Sequence, residues 1–181
     1  MDREINPWDE YPEIWKTKSE FFTWLRGGLR NAIWKKYPPK IIYKDSQKYK
    51  PDSEYKGRAK NLITCALTGD VISFSSAEVD HIEGNVSLRD WGDVLPFVRH
   101  LCASKDNMQV VSPEAHKIKS YAEKMGISFE EADIEKRVIS ICKNKGDLTF
   151  LKSHGIIPAP NARLRRGQVR EQVNKERYLE R

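Results

Sequence analysis

Between Asn61 and Gly84 the chain reads NLITCALTGDVISFSSAEVDHIEG, where β-branched and apolar runs flank the turn signal Thr68-Gly69-Asp70. Two short strands are expected here, ending near Asp80 and His81. On both sides the apolar residues recur at helical spacing instead. Strands confined to one stretch between helical patterns define an α+β chain. At 181 residues it has room for one compact domain with short appendages.

The helical stretches have recognisable ends. From Thr17 to Tyr37 the apolar positions Phe21, Trp24, Leu25, Leu29, Ile33 and Trp34 share a face, with Thr17 or Ser19 as cap. Gly27-Gly28 weakens this helix and marks a kink or a close approach, and Pro38-Pro39 ends it. The mixed basic stretch Lys40 to Lys60 reads as an exposed connector. Trp91 to Leu101 predicts a packed helix. A second runs from Pro113, behind Ser112, to Gly126, and a third from Ser128 to Lys145 opens with the capping-box pair Ser128 and Glu131. The Arg-rich tail beyond Pro160 has few apolar anchors (Leu164, Val169, Val173, Tyr178 and Leu179), so it is expected to fold fully only against a partner. His100 and His154 read as packed or loop histidines.

Composition limits the function classes. Apolar residues make up 39% and charged residues 32%, a more solvated balance than in an average globular chain. Mean hydropathy is -0.69, and no window resembles a membrane span. The N-terminal stretch is acidic and polar, unlike a secretory leader, so a cytoplasmic protein without membrane association is expected. Three scattered cysteines without a C-x-x-C suggest neither a disulfide framework nor a cysteine-rich zinc site. Lys plus Arg outnumber Asp plus Glu by 32 to 26. The excess is concentrated: nine basic against three acidic residues from Lys35 to Lys60, and seven against three from Pro160 to Arg181. Such a distribution favours a polyanionic partner.

One constellation carries chemistry. Asp80-His81 follows a strand in the motif V-D-H-I. Asn107 stands 26 residues beyond His81, and His116 nine beyond Asn107, in N-M-Q-V-V-S-P-E-A-H-K-I-K. This series, over about residues 61 to 120, resembles the HNH nucleases. The resemblance implies a ββα-metal core, a two-stranded hairpin plus helix closed on one metal ion, with an N-terminal helix and a C-terminal basic helical segment added. It implies His81 as general base, Asp80 and His116 as ligands of one divalent ion (Mg²⁺, Mn²⁺ or a late transition metal), and Asn107 as a brace for the base. Lys117 and Lys119, near His116, are expected to contact phosphates flanking the scissile bond.

These residue types suit phosphodiester hydrolysis. The reaction needs a nucleophile made from water, neutralisation of charge in the transition state and help for the leaving oxygen. A neutral imidazole is a good base near neutral pH. Many relatives also carry a structural zinc on two C-x-x-C pairs, but the corresponding positions here are Cys65, Thr68, Ser112 and Ala115, so no structural zinc is expected.

Trp15 to Pro38, and the tail from Leu151 to Glu171, resemble the flanks of phage-encoded free-standing HNH homing endonucleases, which would place the protein in the cytoplasm of a bacterial host. On that basis Arg163, Arg165, Arg166 and Arg170 are expected to bind double-stranded DNA. The expected organisation is an N-terminal helix and basic connector (1–60), an HNH core (61–126) and a C-terminal helical DNA-binding segment (127–181). The expected function is a metal-dependent, site-specific DNA endonuclease. The competing readings are a non-cleaving basic DNA-binding protein on the same scaffold and a restriction or packaging-associated HNH nuclease.

Overall fold

The computed structural model describes residues 6–84 and 86–179. Within it the chain divides into two compact units, one up to Ala115 and one from His116 onward. The first contains α1 (Pro7–Glu10), α2 (Lys18–Ala32), a 3-10 turn (Trp34–Lys36), α3 (Pro38–Ser46), β1 (Leu62–Thr64), β2 (Val71–Ser73), β3 (Glu78–His81), α4 (Val94–Leu101) and β4 (Met108–Val111). Helix α5 (Pro113–Met125) starts in this unit and carries the chain into the second, which adds α6 (Phe129–Cys142), α7 (Gly146–Ser153) and α8 (Ala162–Leu179). The class is α+β, with helix predominating. Among the described residues no helix is long and apolar enough to cross a membrane.

The strands form two small antiparallel sheets. β1 and β2 make the expected hairpin, with Leu62 opposite Ser73 and Thr64 opposite Val71. Its turn needs Gly69, whose φ of 77° is open to glycine at no steric cost. β3 does not belong to this hairpin. It pairs with β4 across the excursion that contains α4, setting Val79 opposite Val110, Asp80 opposite Gln109 and His81 opposite Met108. The sequence reading missed β4 because all four of its residues are buried, and a strand covered on both faces has no polar alternation. The Ala66 N–H donates to the Val110 carbonyl at 2.8 Å and ties the hairpin to β4.

Local chemistry explains most helix ends. The Thr17 hydroxyl accepts the Glu20 N–H at 3.2 Å, and the Ser112 hydroxyl accepts the Ala115 N–H at 3.0 Å. Ser128 and Glu131 complete a reciprocal capping box. Gly126, at φ 65°, follows the last turn of α5. Three expectations change. Gly27 and Gly28 lie inside a continuous helix, with open space where a Cβ would stand. α2 already stops at Ala32, short of Pro38 and Pro39, which instead begin the next helix, because proline at the first helical positions gives up only an N–H that has no intrahelical partner. Part of the supposed connector is therefore α3. The tail forms α8 and buries Val169 and Val173 within its own unit, against Val138 and Leu151. The side chains of Tyr178 and Leu179 lie outside the described part.

Two apolar clusters hold the first unit. One gathers Ile63, Ala77, Val79, Ala103, Met108 and Val110 around the sheets. The other joins Phe21 and Phe22 of α2 to Leu88, Phe97 and Leu101. Trp34 packs against both. Each large side chain taken fully out of water contributes about 1.5 to 3 kcal/mol, so the N-terminal helix is part of the core.

In the second unit a buried ion pair locks α8 onto α7. Arg165 donates from Nε to Asp147 at 2.6 Å and from Nη1 to the carbonyls of Ala159 and Pro160, each at 3.2 Å. The guanidinium hydrogen bond, opposed by burial and aided by its charge, holds the Asp147 carboxyl below the usual aspartate range. Asp147→Asn should cost roughly 1.5 to 3 kcal/mol at neutral pH, as for hydrogen bonds to charged groups. A depressed carboxylate pKa stabilises the fold above its unfolded value of 3.8, and the benefit fades as pH falls through the folded value. Urea melts of the full chain should therefore show the gap between wild type and variant closing only in that acid range.

Candidate active site

β3 ends at His81, which is 7% exposed. Its ring stacks on Trp34 at a centroid distance of 4.0 Å and 26°, and on His100 at 4.0 Å and 24°. Two nearly parallel rings at that distance from a third must occupy opposite faces, so the imidazole is sandwiched. His81 Nε2 lies 2.9 Å from the His100 carbonyl oxygen. A carbonyl only accepts, so Nε2 carries the hydrogen, and in the neutral ring Nδ1 holds the lone pair. Burial, stacking and one fixed tautomer are what a positioned proton acceptor requires.

Asn107 closes the loop after His81. Its Oδ1 accepts the Glu83 N–H at 2.7 Å, its Nδ2 donates to the Glu83 carbonyl at 3.4 Å, and its own carbonyl accepts the Ile82 N–H at 3.1 Å. Gln109 Nε2 approaches the His81 carbonyl at 3.5 Å. The residues on both sides of β4's first residue, Asn107 and Gln109, thus hold the chain leaving His81.

Asp80 occupies the register position opposite Gln109, on the other face of β3 from His81. Its charge reaches Arg30 of α2. Burial, and the neighbouring Arg26, pull the Arg30 guanidinium below its usual range, and Asp80 opposes that shift. Further along, Lys40 Nζ sits 4.7 Å from the Trp34 ring centroid, and Lys44 Nζ 4.7 Å from that of Phe74. Burial lowers the pKa of both amines. Lys44 also lowers that of Lys40, and Glu78 pulls both upward. Cations from α2 and α3 thus lie along β3, Arg30 toward Asp80 and Lys40 and Lys44 toward Glu78 at its start.

The other expected site residues lie as follows. His116 is in the first turns of α5, four positions after its cap Ser112, and is the first residue of the second unit. Lys117 is exposed, and Lys119 pairs with Glu123 one turn on. Arg163 is exposed and makes no ion pair among the described residues. Arg165 is committed to Asp147, and Arg166 and Arg170 both pair with Glu135. Among the described residues no three His, Cys, Asp or Glu side chains gather closely enough to hold a metal ion.

Cys65, Ser112 and Ala115, three of the positions compared with a zinc staple, are joined by hydrogen bonds. Cys65 Sγ accepts the Ser112 N–H at 3.3 Å, and the Ser112 hydroxyl in turn caps α5. Burial pushes the Cys65 thiol up, but donors from Thr68, Ser112 and Leu67 outweigh it and leave the pKa below the usual thiol value.

Trp34, Arg30 and His100 were not among the expected site residues. Arg26, Arg30 and Trp34 succeed one another at four-residue spacing, a pattern visible in the sequence. His100 was set aside as a packed histidine; it is packed, against His81. No family model matches the chain, and neither a curated protein nor a solved structure matches it.

Asn107→Ala removes the acceptor of the Glu83 amide. A hydrogen bond worth about 1 kcal/mol corresponds to about a fivefold change in an opening equilibrium. Hydrogen exchange at the Glu83 amide should accelerate by about that factor, with far-ultraviolet circular dichroism unchanged.

Proposed function

We propose that the chain is a metal-dependent DNA endonuclease of HNH type. The observation that carries the reading is the His81 ring, stacked on two aromatic faces with its Nε2 hydrogen committed to a backbone carbonyl. His81 Nδ1 takes the proton of the attacking water. Asn107 keeps the loop beyond β3 from drifting, and Trp34 and His100 prevent the imidazole from turning. Arg30 contributes fixed positive charge near Asp80, where negative charge grows on the phosphate as the nucleophile adds.

The donors that the HNH resemblance names are one carboxylate, Asp80, and one imidazole, His116. That mixed set suits a divalent ion that keeps water and phosphate oxygens in its remaining positions. When bound, the ion would neutralise charge on the scissile phosphate and assist the leaving oxygen. The finer assignment, a site-specific homing endonuclease of the phage-encoded free-standing kind, rests on the resemblance of the two flanking segments.

Supercoiled plasmid incubated with Mg²⁺ or Mn²⁺ should be nicked or linearised, and a chelator should abolish the reaction. His81→Ala should lower the rate by about 10² to 10⁴, the range of general-base catalysis, while DNA retention in a gel shift persists. A variant that cuts as fast as wild type removes His81 from the role of base. A wild type that binds DNA but fails to cut whichever divalent metal is supplied favours the non-cleaving alternative. Asp80→Ala and His116→Ala should each raise the Mn²⁺ concentration needed for half-maximal cutting.

Trp34→Leu is expected to slow cutting about tenfold and broaden its pH profile, since it loosens the imidazole and leaves the nucleophile chemistry in place. Replacement by Phe, which keeps an aromatic face, should restore most of the rate. A Leu variant with an unchanged pH profile would make Trp34 a packing residue only.

A further inference from the structure

A second concentration of cations lies at the start of α2. A cavity of about 500 Å³ opens there, lined among others by Lys18, Phe22, Arg26, Leu88, Arg89 and Asp90. Lys18, Phe22 and Arg26 share one stripe of the helix through their four-residue spacing. The segment from Leu88 to Asp90 forms the opposite wall. Leu88 is buried, and its carbonyl accepts from Arg26 Nη2 at 3.2 Å, which fixes the two walls to each other. Lys18 Nζ rests 6.0 Å from the Trp8 ring and 5.8 Å from the Phe22 ring.

The cavity is electropositive and asks for an acceptor. Three cationic side chains face it against the single carboxylate of Asp90, which already accepts the Asp93 N–H at 3.2 Å. Arg26 Nε is buried and has no hydrogen-bond partner among the described residues. Buried guanidinium hydrogens are normally satisfied, and the planar fork of arginine matches phosphate oxygens better than any other side chain. The stripe also continues. Arg30 follows Arg26 by one turn and reaches Asp80 electrostatically. At 1.5 Å per residue, Lys18 to Arg30 spans about 18 Å along the axis, the rise of about five phosphates of one DNA strand. A lone small anion would use only one end of such a track.

We propose that this cavity seats a phosphodiester group of a nucleic-acid strand, several nucleotides from the one hydrolysed at the end of β3. The choice of ligand rests on the nuclease reading above. The cavity thereby supplies register and affinity and takes no part in bond breaking.

The test is the salt dependence of duplex binding by the full-length protein in a chelator, read by fluorescence anisotropy. Each phosphate contact adds about 0.9 to the slope of log affinity against log salt. Lys18→Gln and Arg89→Gln, both exposed side chains, and Arg26→Gln should each lower the slope, by no more than about 0.9 even in combination, because one phosphate is seated. Lys16→Gln, exposed just outside the cavity, should leave it unchanged. Wild-type slopes in the Lys18 and Arg89 variants, or an equal drop in Lys16→Gln, overturn the proposal whatever the Arg26 variant does. Titration with inorganic phosphate, followed by ³¹P line width, separates the sources: binding lost in Arg26→Gln while every duplex slope stays at wild type makes this a small-anion site and overturns the strand assignment. A wild type that cuts plasmid while the variants keep their slopes sinks the cavity alone. Lowered slopes in a protein that fails to cut whichever divalent metal is supplied sink the nuclease reading and leave the cavity standing.

Discussion

The four-residue ladder between β3 and β4 is the constraint on which the first unit depends. Its strands are far apart in sequence, so closing the loop between them costs entropy that grows slowly with length. The return comes from burying Val79, Met108, Val110 and Val111. Once the ladder forms, His81 stands opposite Met108, Asn107 falls beside the chain leaving His81, and Ser112 stands where its hydroxyl can start α5. The hairpin is joined to the same ladder through Ala66 and Cys65. A slip of one residue would send every side chain of β3 to the other face and exchange the environments of Asp80 and His81.

The ladder places His81, but it does not orient the ring. That depends on elements outside the strands: Trp34, just after α2, and His100, in the last turn of α4. Trp34 belongs to both apolar clusters, so the packing that stabilises the N-terminal helix also fixes one face of the imidazole. The HNH core resemblance covers about residues 61 to 120, and Trp34 lies ahead of it, in the N-terminal flank from Trp15 to Pro38. One face of the His81 ring is therefore fixed by a residue that precedes all four strands.

What the sequence revealed was local. Thr17, Ser112 and Ser128 announce helix starts, and Gly69 and Gly126 announce turns, because each acts through hydrogen bonds or torsions within a few residues. The positions of Asp80, His81, Asn107 and His116 were readable as spacing only. The contact between Trp34 and His81 has no periodic signature, since it joins residues from different elements. The group that fixes the His81 tautomer is a main-chain carbonyl, which every residue at position 100 would supply. β3 was mistaken for part of the hairpin because two short strands in succession usually pair, and the buried β4 offered no alternation to correct that.

Charge counting alone does not separate the arginines of the tail. Arg165 is nearly enclosed, with 15% of its side chain exposed, and its fork is divided among Asp147 and two carbonyls. Withdrawing it toward a phosphate would leave Asp147, the less exposed partner at 7%, charged and unpaired, a loss that a surface phosphate contact does not recover. Arg166 and Arg170 differ: they share one carboxylate, Glu135, and keep 43% and 53% exposure. Two guanidinium groups on one carboxylate leave a net positive charge facing solvent, and such pairs are weak enough to exchange partners. The solvent-facing positive charge of the tail therefore lies on Arg163, Arg166 and Arg170, while Arg165 serves the fold.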